Sequence, residues 1–142
     1  MCHYANLLRA TLTISLMLVA MAGTAVAGPF DDATAAYQRG DYATAMLIFK
    51  PLADRGDAVA QYRVGLMYFH GEGASQDYGE AVKWFRKAVE LGNADAMYNL
   101  GMCYLSGEGV AKDHAEAVKW FRWASGRGSV EATAALKSLG KE

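Results

Sequence analysis

The chain has 142 residues, of which 53% are hydrophobic and 20% are charged, and its formal net charge is −1. This composition is typical of one globular domain and excludes a wholly disordered chain. The near-neutral charge argues against a nucleic-acid-binding protein, which needs a basic surface, and two cysteines are too few for a disulfide-rich scaffold.

The first 27 residues are typical of a signal peptide for export. They contain no acidic residue, and Arg9 precedes an apolar run from Leu12 to Ala22 that is short for a membrane span. The segment closes with Ala25-Val26-Ala27, which places small residues where signal peptidase requires them. We therefore predict cleavage after Ala27 and a periplasmic or secreted protein without stable membrane insertion. Retention of the segment as an uncleaved anchor is the alternative.

Residues 28–57 are predicted to form a degenerate helical hairpin. Its first helix covers about Asp31–Arg39 and meets the second through Gly40-Asp41. Pro51 should kink the second helix or end its hydrogen-bond ladder locally, because proline has no backbone N–H to donate. Five residues of this unit recur with identical types 36 residues later in the chain: Asp41, Tyr42, Ala45, Phe49 and Gly56.

A repeat of 36 residues is the strongest pattern in the chain. Residues 58–93 align without a gap to residues 94–129, and 18 of the 36 positions are identical. Such a period indicates a solenoid of stacked supersecondary units. Residues 130–142 begin a further unit and are predicted to form a capping helix. We therefore predict an all-α, right-handed α/α solenoid of about seven helices.

Each repeat is predicted to contain two helices whose ends are marked by capping residues and glycines. Apolar residues recur at helical spacing from Ala60 in the first helix and from Ala81 in the second. Asp77 and Glu80 have the spacing of a capping box, as do the equivalent residues of the next repeat. The first helices are predicted to end at glycines in the left-handed conformation, and each second helix at a glycine followed by an N-cap residue. The glycines that end first helices are Gly71 and Gly107. The glycines that end second helices are Gly56, Gly92 and Gly128, and the N-cap residues that follow them are Asp57, Asn93 and Ser129.

These residues carry a family resemblance. Residues 96–113 have the pattern Ala-x-x-x-Leu-Gly-x-x-Tyr-x-x-Gly-x-Gly-Val-x-x-Asp, and residues 117–124 follow with Ala-x-x-Trp-Phe-x-x-Ala. The pattern resembles the Sel-1-like repeat, an α/α solenoid related to tetratricopeptide repeats. The preceding repeat departs from it only slightly, with Val64 and Ala74 in place of the leucine and the valine. The resemblance implies an adaptor role in signalling, secretion or envelope assembly.

No catalytic, cofactor or metal site is predicted. Glu72 and Glu108 lie one repeat apart, which is too far for the carboxylate pair of a retaining glycosidase, and we expect both to be solvated loop residues. His70 and His114 have no metal-ligand spacing and are expected at the surface. Cys103 is expected to be a small buried apolar residue rather than a reactive thiol. Trp84, Phe85, Trp120 and Phe121 recur in register and are expected in the framework.

The first helices carry a second row of side chains, which we treat as a candidate concave protein-binding face. Either these residues pack within the stack, or they form a groove for a peptide or helix of a partner. They are Tyr62, Leu66, Phe69, His70, Tyr98, Met102, Leu105 and Ser106. Trp123 replaces Lys87 of the preceding repeat, and it either packs against the closing helix or forms an exposed surface anchor.

The leading functional hypothesis is an exported, non-catalytic helical-repeat scaffold that binds another protein in the bacterial envelope. One alternative is an envelope-acting hydrolase, because some cysteine-rich relatives of this repeat family are associated with β-lactam binding or hydrolysis. Those relatives have paired cysteines in each repeat, whereas only Cys103 remains here after signal cleavage. A self-associating structural module, active as a homo-oligomer, is the other alternative. No cofactor, no nucleic acid and no particular partner is implied.

Overall fold

The computed structural model describes residues 27–141, so the predicted signal segment lies outside the described residues except for Ala27. Over this range the chain forms seven α-helices and no strand, which confirms the predicted fold class. None of these seven helices is long and apolar enough to cross a membrane. The helices are α1 Pro29–Gln38, α2 Tyr42–Asp54, α3 Ala58–His70, α4 Tyr78–Glu90, α5 Ala94–Ser106, α6 His114–Gly126 and α7 Val130–Ser138.

The helices stack as three hairpins and a closing helix. Each helix packs chiefly against the helices that precede and follow it in the chain. The core consists of three apolar clusters that follow one another along the stack and are shared between neighbouring hairpins. Their largest fully buried side chains are Phe49, Val64, Met67, Phe85, Leu100, Cys103 and Phe121. Burial of this continuous core, to which every repeat contributes, stabilises the solenoid.

The N-cap residues of three helices and the glycines that end two of them form as the sequence predicts. The side chains of Asp57, Asn93 and Ser129 each accept a hydrogen bond from the backbone N–H three residues later, and so cap the first helix of each unit. Gly71 and Gly107 follow the last residues of α3 and α5 with φ of +73° and +83°, in the left-handed region that glycine adopts without strain.

Only half of the expected capping box is present at the start of α4. The Asp77 carboxylate accepts a hydrogen bond from the Glu80 N–H at 2.9 Å. However, the Glu80 carboxylate binds Lys83 at 3.0 Å instead of the Asp77 N–H. That N–H donates to the Tyr68 carbonyl of α3, also at 2.9 Å. This hydrogen bond joins the loop to α3, so the Asp77 N–H is not available to the Glu80 carboxylate.

Three further expectations need correction. α1 begins at Pro29 rather than near Asp31, because proline suits the first turn of a helix, where its missing N–H costs no hydrogen bond. α2 continues through Pro51 to Asp54, so the proline does not end the helix. Trp84 is 3% exposed, whereas the framework residue at the equivalent position of the next repeat, Trp120, is only partly buried.

Candidate protein-binding surface

The α3 half of the predicted concave face packs within the stack. The Tyr62 ring lies 6.1 Å from the Phe85 ring, and the Tyr62 hydroxyl accepts a hydrogen bond from the Asn99 side chain at 3.3 Å. Burial raises the pKa of Tyr62 above its ordinary value. The Phe69 ring lies 4.9 Å from Tyr78. These contacts bury apolar area of α3 against neighbouring helices.

The two remaining α3 residues have different surroundings. Leu66 is half-buried and packs against the central apolar cluster, which includes Phe85. His70 is exposed at the last position of α3, and its ring stands edge-on to Phe69 at 5.3 Å. Leu66, one of the predicted face residues, therefore contributes to the core, whereas His70 stays exposed.

The α5 half of the face lines an open groove. Tyr98, Met102 and Leu105 form one wall of a groove of about 500 Å³ between α5 and α7. Met102 is 37% exposed, whereas Tyr98 and Leu105 are half-buried against the apolar cluster of the last hairpin. Ser106 is exposed, and its hydroxyl oxygen lies 3.0 Å from the Met102 carbonyl oxygen. The other wall consists of Glu131, Ala134, Ala135, Ser138 and Leu139.

Small side chains on α7 leave this groove open. At repeat spacing, Ala134, Ala135 and Ser138 of α7 take the positions that Tyr98, Asn99 and Met102 occupy in α5. Between α3 and α5 the large side chains fill the corresponding space, as in the bond from Asn99 to Tyr62. The α7 residues are not part of the face that the sequence predicts. The sequence does contain a signal for them, because large residues of α5 are replaced by small residues at the equivalent positions of α7, 36 residues later.

The groove between α5 and α7 is apolar with one acidic group. Among the described residues, Glu131 is the only charged one that lines it, and the Glu131 carboxylate accepts a hydrogen bond from the Ser129 hydroxyl at 3.2 Å. An apolar groove with a single oriented carboxylate suits a partner segment that presents apolar side chains beside a basic group.

Trp123 is exposed and packs within its own helix. Its side chain is 53% exposed, and its ring stands edge-on to Trp120 at 4.8 Å between centroids. Trp120 belongs to the apolar cluster that includes α7, but Trp123 does not. In the preceding repeat, Lys87 occupies the equivalent position and holds its ammonium 4.1 Å from the centre of the Trp84 ring. Trp123 thus takes the place of a cation–π contact.

The single described thiol lacks the features of a nucleophile. Cys103 is 1% exposed, and burial raises its pKa to about 12. A reactive cysteine needs an accessible site and a lowered pKa, whereas Cys103 is a small buried residue of the core.

The two loop glutamates are bonded rather than freely solvated, contrary to expectation. Glu72 accepts a hydrogen bond from the Tyr37 hydroxyl at 2.5 Å, and Glu108 accepts one from the Ser106 hydroxyl at 2.8 Å. His70 and His114 are exposed. Within residues 27–141 no three His, Cys, Asp or Glu side chains stand close enough to hold a metal ion.

Comparison with known proteins relates the chain to one repeat family. A profile of the Sel1 repeat matches residues 58–93 and 94–129. A Sel1 repeat protein from Oxalobacter formigenes is 31% identical, over 76% of this chain and 44% of its own, with a TM-score of 0.72. A protective antigen of uropathogenic Escherichia coli that displays an SLR fold is 38% identical, over 86% of this chain and 27% of its own, with a TM-score of 0.72. This chain thus spans less than half of the length of either structure.

A more distant structure agrees in fold alone. Helicobacter pylori cysteine rich protein B is 22% identical, over 80% of this chain and 98% of its own, with a TM-score of 0.62. A search among curated proteins gave no match.

Proposed function

The chain belongs to the Sel1 repeat family, and from this membership we propose that it is an exported, non-catalytic scaffold that binds another protein of the bacterial envelope. Sel1 repeats typically act as protein-interaction scaffolds. The open apolar groove between α5 and α7 carries the proposal for this chain, because it presents Tyr98, Met102 and Leu105 to a partner. The buried, inert Cys103 is consistent with a non-catalytic role.

The binding mode follows from the rigidity of the stack. The groove is formed by two helices that are anchored in one apolar cluster, so little conformational entropy is lost when a partner binds. Met102 supplies an adaptable apolar contact, and Glu131 supplies a charge that fixes the orientation of a basic group. The partner segment is therefore expected to be apolar with a nearby lysine or arginine.

Site-specific photo-crosslinking in cells tests the groove. A photoreactive residue is placed at position 102 and, as a control, at the exposed Leu47 of α2, which lies outside the groove. The protein captured only from position 102 is then purified and titrated against Met102→Glu and Leu47→Glu variants. We expect Met102→Glu to bind at least about tenfold more weakly, since a buried unpaired charge costs more than 1.4 kcal/mol. Equal capture from both positions, or unchanged affinity of Met102→Glu, would refute the groove.

Export is tested separately, because this part of the proposal rests on residues 1–27. Cell fractionation and N-terminal sequencing of the full-length product are the measurements. We expect the protein in the periplasm or the medium with Gly28 as its first residue. A cytoplasmic product that keeps residues 1–27 would contradict export and leave the binding groove unaffected.

A further inference from the structure

The two junctions between repeats are covered in the same way. In each repeat the loop after the first helix folds back over the start of the second helix of the preceding hairpin. Gly73 lies on the Tyr42 carbonyl and the Met46 side chain of α2. Gly109 lies on the equivalent residues of α4, Tyr78 and Val82.

Only glycine fits these contacts. Gly73 and Gly109 have φ of +73° and +75°, and a Cβ added at either position would collide with the facing carbonyl. The added Cβ at Gly109 would also lie 3.0 Å from Cγ2 of Val82. The next residue, Val110, packs against the apolar cluster that contains Val82. The covering element is therefore a glycine in the left-handed conformation followed by a small apolar side chain.

The corresponding surface of α6 is open. His114 and Val118 stand 36 residues after Tyr78 and Val82, and within residues 27–141 no loop covers them. A groove of about 560 Å³ is found there instead. We call this groove the α6 seat; its lining includes His114, Val118, Lys119, Arg122, Leu139 and Lys141. Its volume lies within the range of known ligand pockets.

The charged side chains that line the α6 seat are basic among the described residues. Its charged lining residues are Lys119, Arg122 and Lys141, around an apolar floor that includes Val118 and Leu139. Lys119 binds Glu116 of its own helix, whereas Arg122 and Lys141 form no ion pair within the described part of the chain. The seat therefore favours an acidic occupant.

We propose that the α6 seat binds a glycine-containing acidic loop of a partner protein, in the manner in which Gly109 and Val110 cover α4. The chain itself shows at two junctions which element covers this surface. Its own Gly-Glu-Gly loops already pack on α2 and α4, so a second copy has no free loop of this kind to supply. Of its lining residues the α6 seat shares only Leu139 with the groove between α5 and α7, so the test monitors residues of the seat that lie outside that groove.

The probe is a synthetic peptide with the sequence of residues 106–113, Ser-Gly-Glu-Gly-Val-Ala-Lys-Asp. It is titrated to millimolar concentration into the ¹⁵N-labelled full chain. We expect amide shifts centred on His114, Val118 and Arg122, which weaken as salt is added. A peptide with alanine in place of the second glycine should not bind, because its Cβ would meet the His114 carbonyl.

A matched pair of variants separates specific binding from general electrostatics. Lys119 and Lys83 are equivalent lysines, both are exposed, and both bind the glutamate three residues before them. Lys119→Glu should weaken peptide binding about fivefold or more, because it replaces an attraction by a repulsion. Lys83→Glu makes the same charge change beside a covered surface, so it should leave binding unchanged.

Several outcomes would overturn the proposal. These are the absence of shifts at millimolar peptide, shifts centred on Met102 in the other groove, and equal binding of the alanine peptide. Equal losses of peptide affinity in Lys119→Glu and Lys83→Glu would also overturn it. Shifts of the seat residues on dilution without peptide would identify a second copy as the occupant and would also refute a partner loop.

Discussion

Gly101 of α5 lies directly against the ring of Phe121 of α6, so that a Cβ added to the glycine would be 2.7 Å from Cε1. Gly65 has the same relationship to Phe85 in the preceding repeat, at 2.6 Å. Both rings are fully buried and have no room to move aside. The missing side chain thus sets how closely the two helices of a repeat approach. The corresponding residue of α7 is Lys137, so the glycine is not repeated in that helix.

Replacement of Gly101 by alanine is expected to destabilise the protein. Alanine gains about 1 kcal/mol in helix propensity, but overpacking against a fixed ring costs about 1–3 kcal/mol, so the clash should prevail. Urea denaturation followed by circular dichroism measures the change. The control is Gly126→Ala, because Gly126 is also helical and has no atom within 4 Å of an added Cβ. It should keep or slightly raise stability, and equal results for both variants would contradict the close approach.

The glycine that packs on α4 is expected to be more sensitive than a glycine in open space. Gly109 and Gly128 both have positive φ, +75° and +89°, so alanine at either costs about 1 kcal/mol in backbone strain. An added Cβ at Gly109 also collides with Tyr78, whereas one at Gly128 meets nothing within 4 Å. We expect Gly109→Ala to lose about 2 kcal/mol more than Gly128→Ala in urea denaturation. Similar losses would mean that the loop can move off α4.

The Cys103 thiol is expected to lower stability at alkaline pH. Burial raises its pKa from 9.0 to about 12, so between these values the unfolded chain loses the proton and the folded chain keeps it. The stabilisation is complete below pH 9 and decreases as the pH rises toward 12. Urea denaturation at several alkaline pH values should show this decrease, and Cys103→Ala should reduce its slope. In the native protein at pH 8 a thiol reagent should label Cys103 only as fast as the protein opens.

The sequence was sufficient for the number of helices, the N-cap residues and the period, because these depend on local patterns. Asp57 caps α3 and Gly71 ends it wherever the hairpin lies in the stack. The groove between α5 and α7 depends instead on which side chains two distant helices bring together. Met102 looks equivalent to Leu66 in the alignment, yet only Met102 faces a helix whose residues at that spacing are small.

Local sequence patterns likewise do not predict the hydrogen bond between Tyr37 and Glu72. Tyr37 lies in α1 and Glu72 lies in the loop after α3, so their bond joins residues 35 positions apart. No sequence rule pairs a degenerate first hairpin with the loop of the next repeat, and Glu72 was therefore expected to be solvated.

This bond is expected to couple the two hairpins energetically. Tyr37→Phe should lower the free energy of unfolding by about 1 kcal/mol, because a partly buried carboxylate loses a donor. Burial and Glu72 together raise the pKa of Tyr37 to about 12, and Glu72→Gln should lower that pKa in an ultraviolet titration. A double-mutant cycle of the two changes measures the coupling. The control is Glu108→Gln, because Glu108 accepts its hydrogen bond from Ser106 at the end of α5, so no coupling to Tyr37 is expected.

Trp123 offers a test that separates folding from binding. Trp123→Lys creates the arrangement of the preceding repeat, in which Lys87 lies over Trp84, so a cation–π contact with Trp120 replaces the edge-on ring. Because the residue is 53% exposed, we expect the free energy of unfolding to change by less than about 1 kcal/mol. In contrast, Trp84→Ala should cost about 3–5 kcal/mol, because Trp84 is buried.

The outcome also decides between the two hypotheses for Trp123. If Trp123→Lys keeps its stability but loses affinity for the purified partner, the tryptophan is a surface anchor that the partner desolvates. If stability falls by several kcal/mol, Trp123 packs within the solenoid more tightly than its 53% exposure indicates. Unchanged stability with unchanged affinity would show that its role is confined to covering Trp120. Iodide quenching gives an independent check, since Trp123 should be quenched readily and Trp84 should be protected.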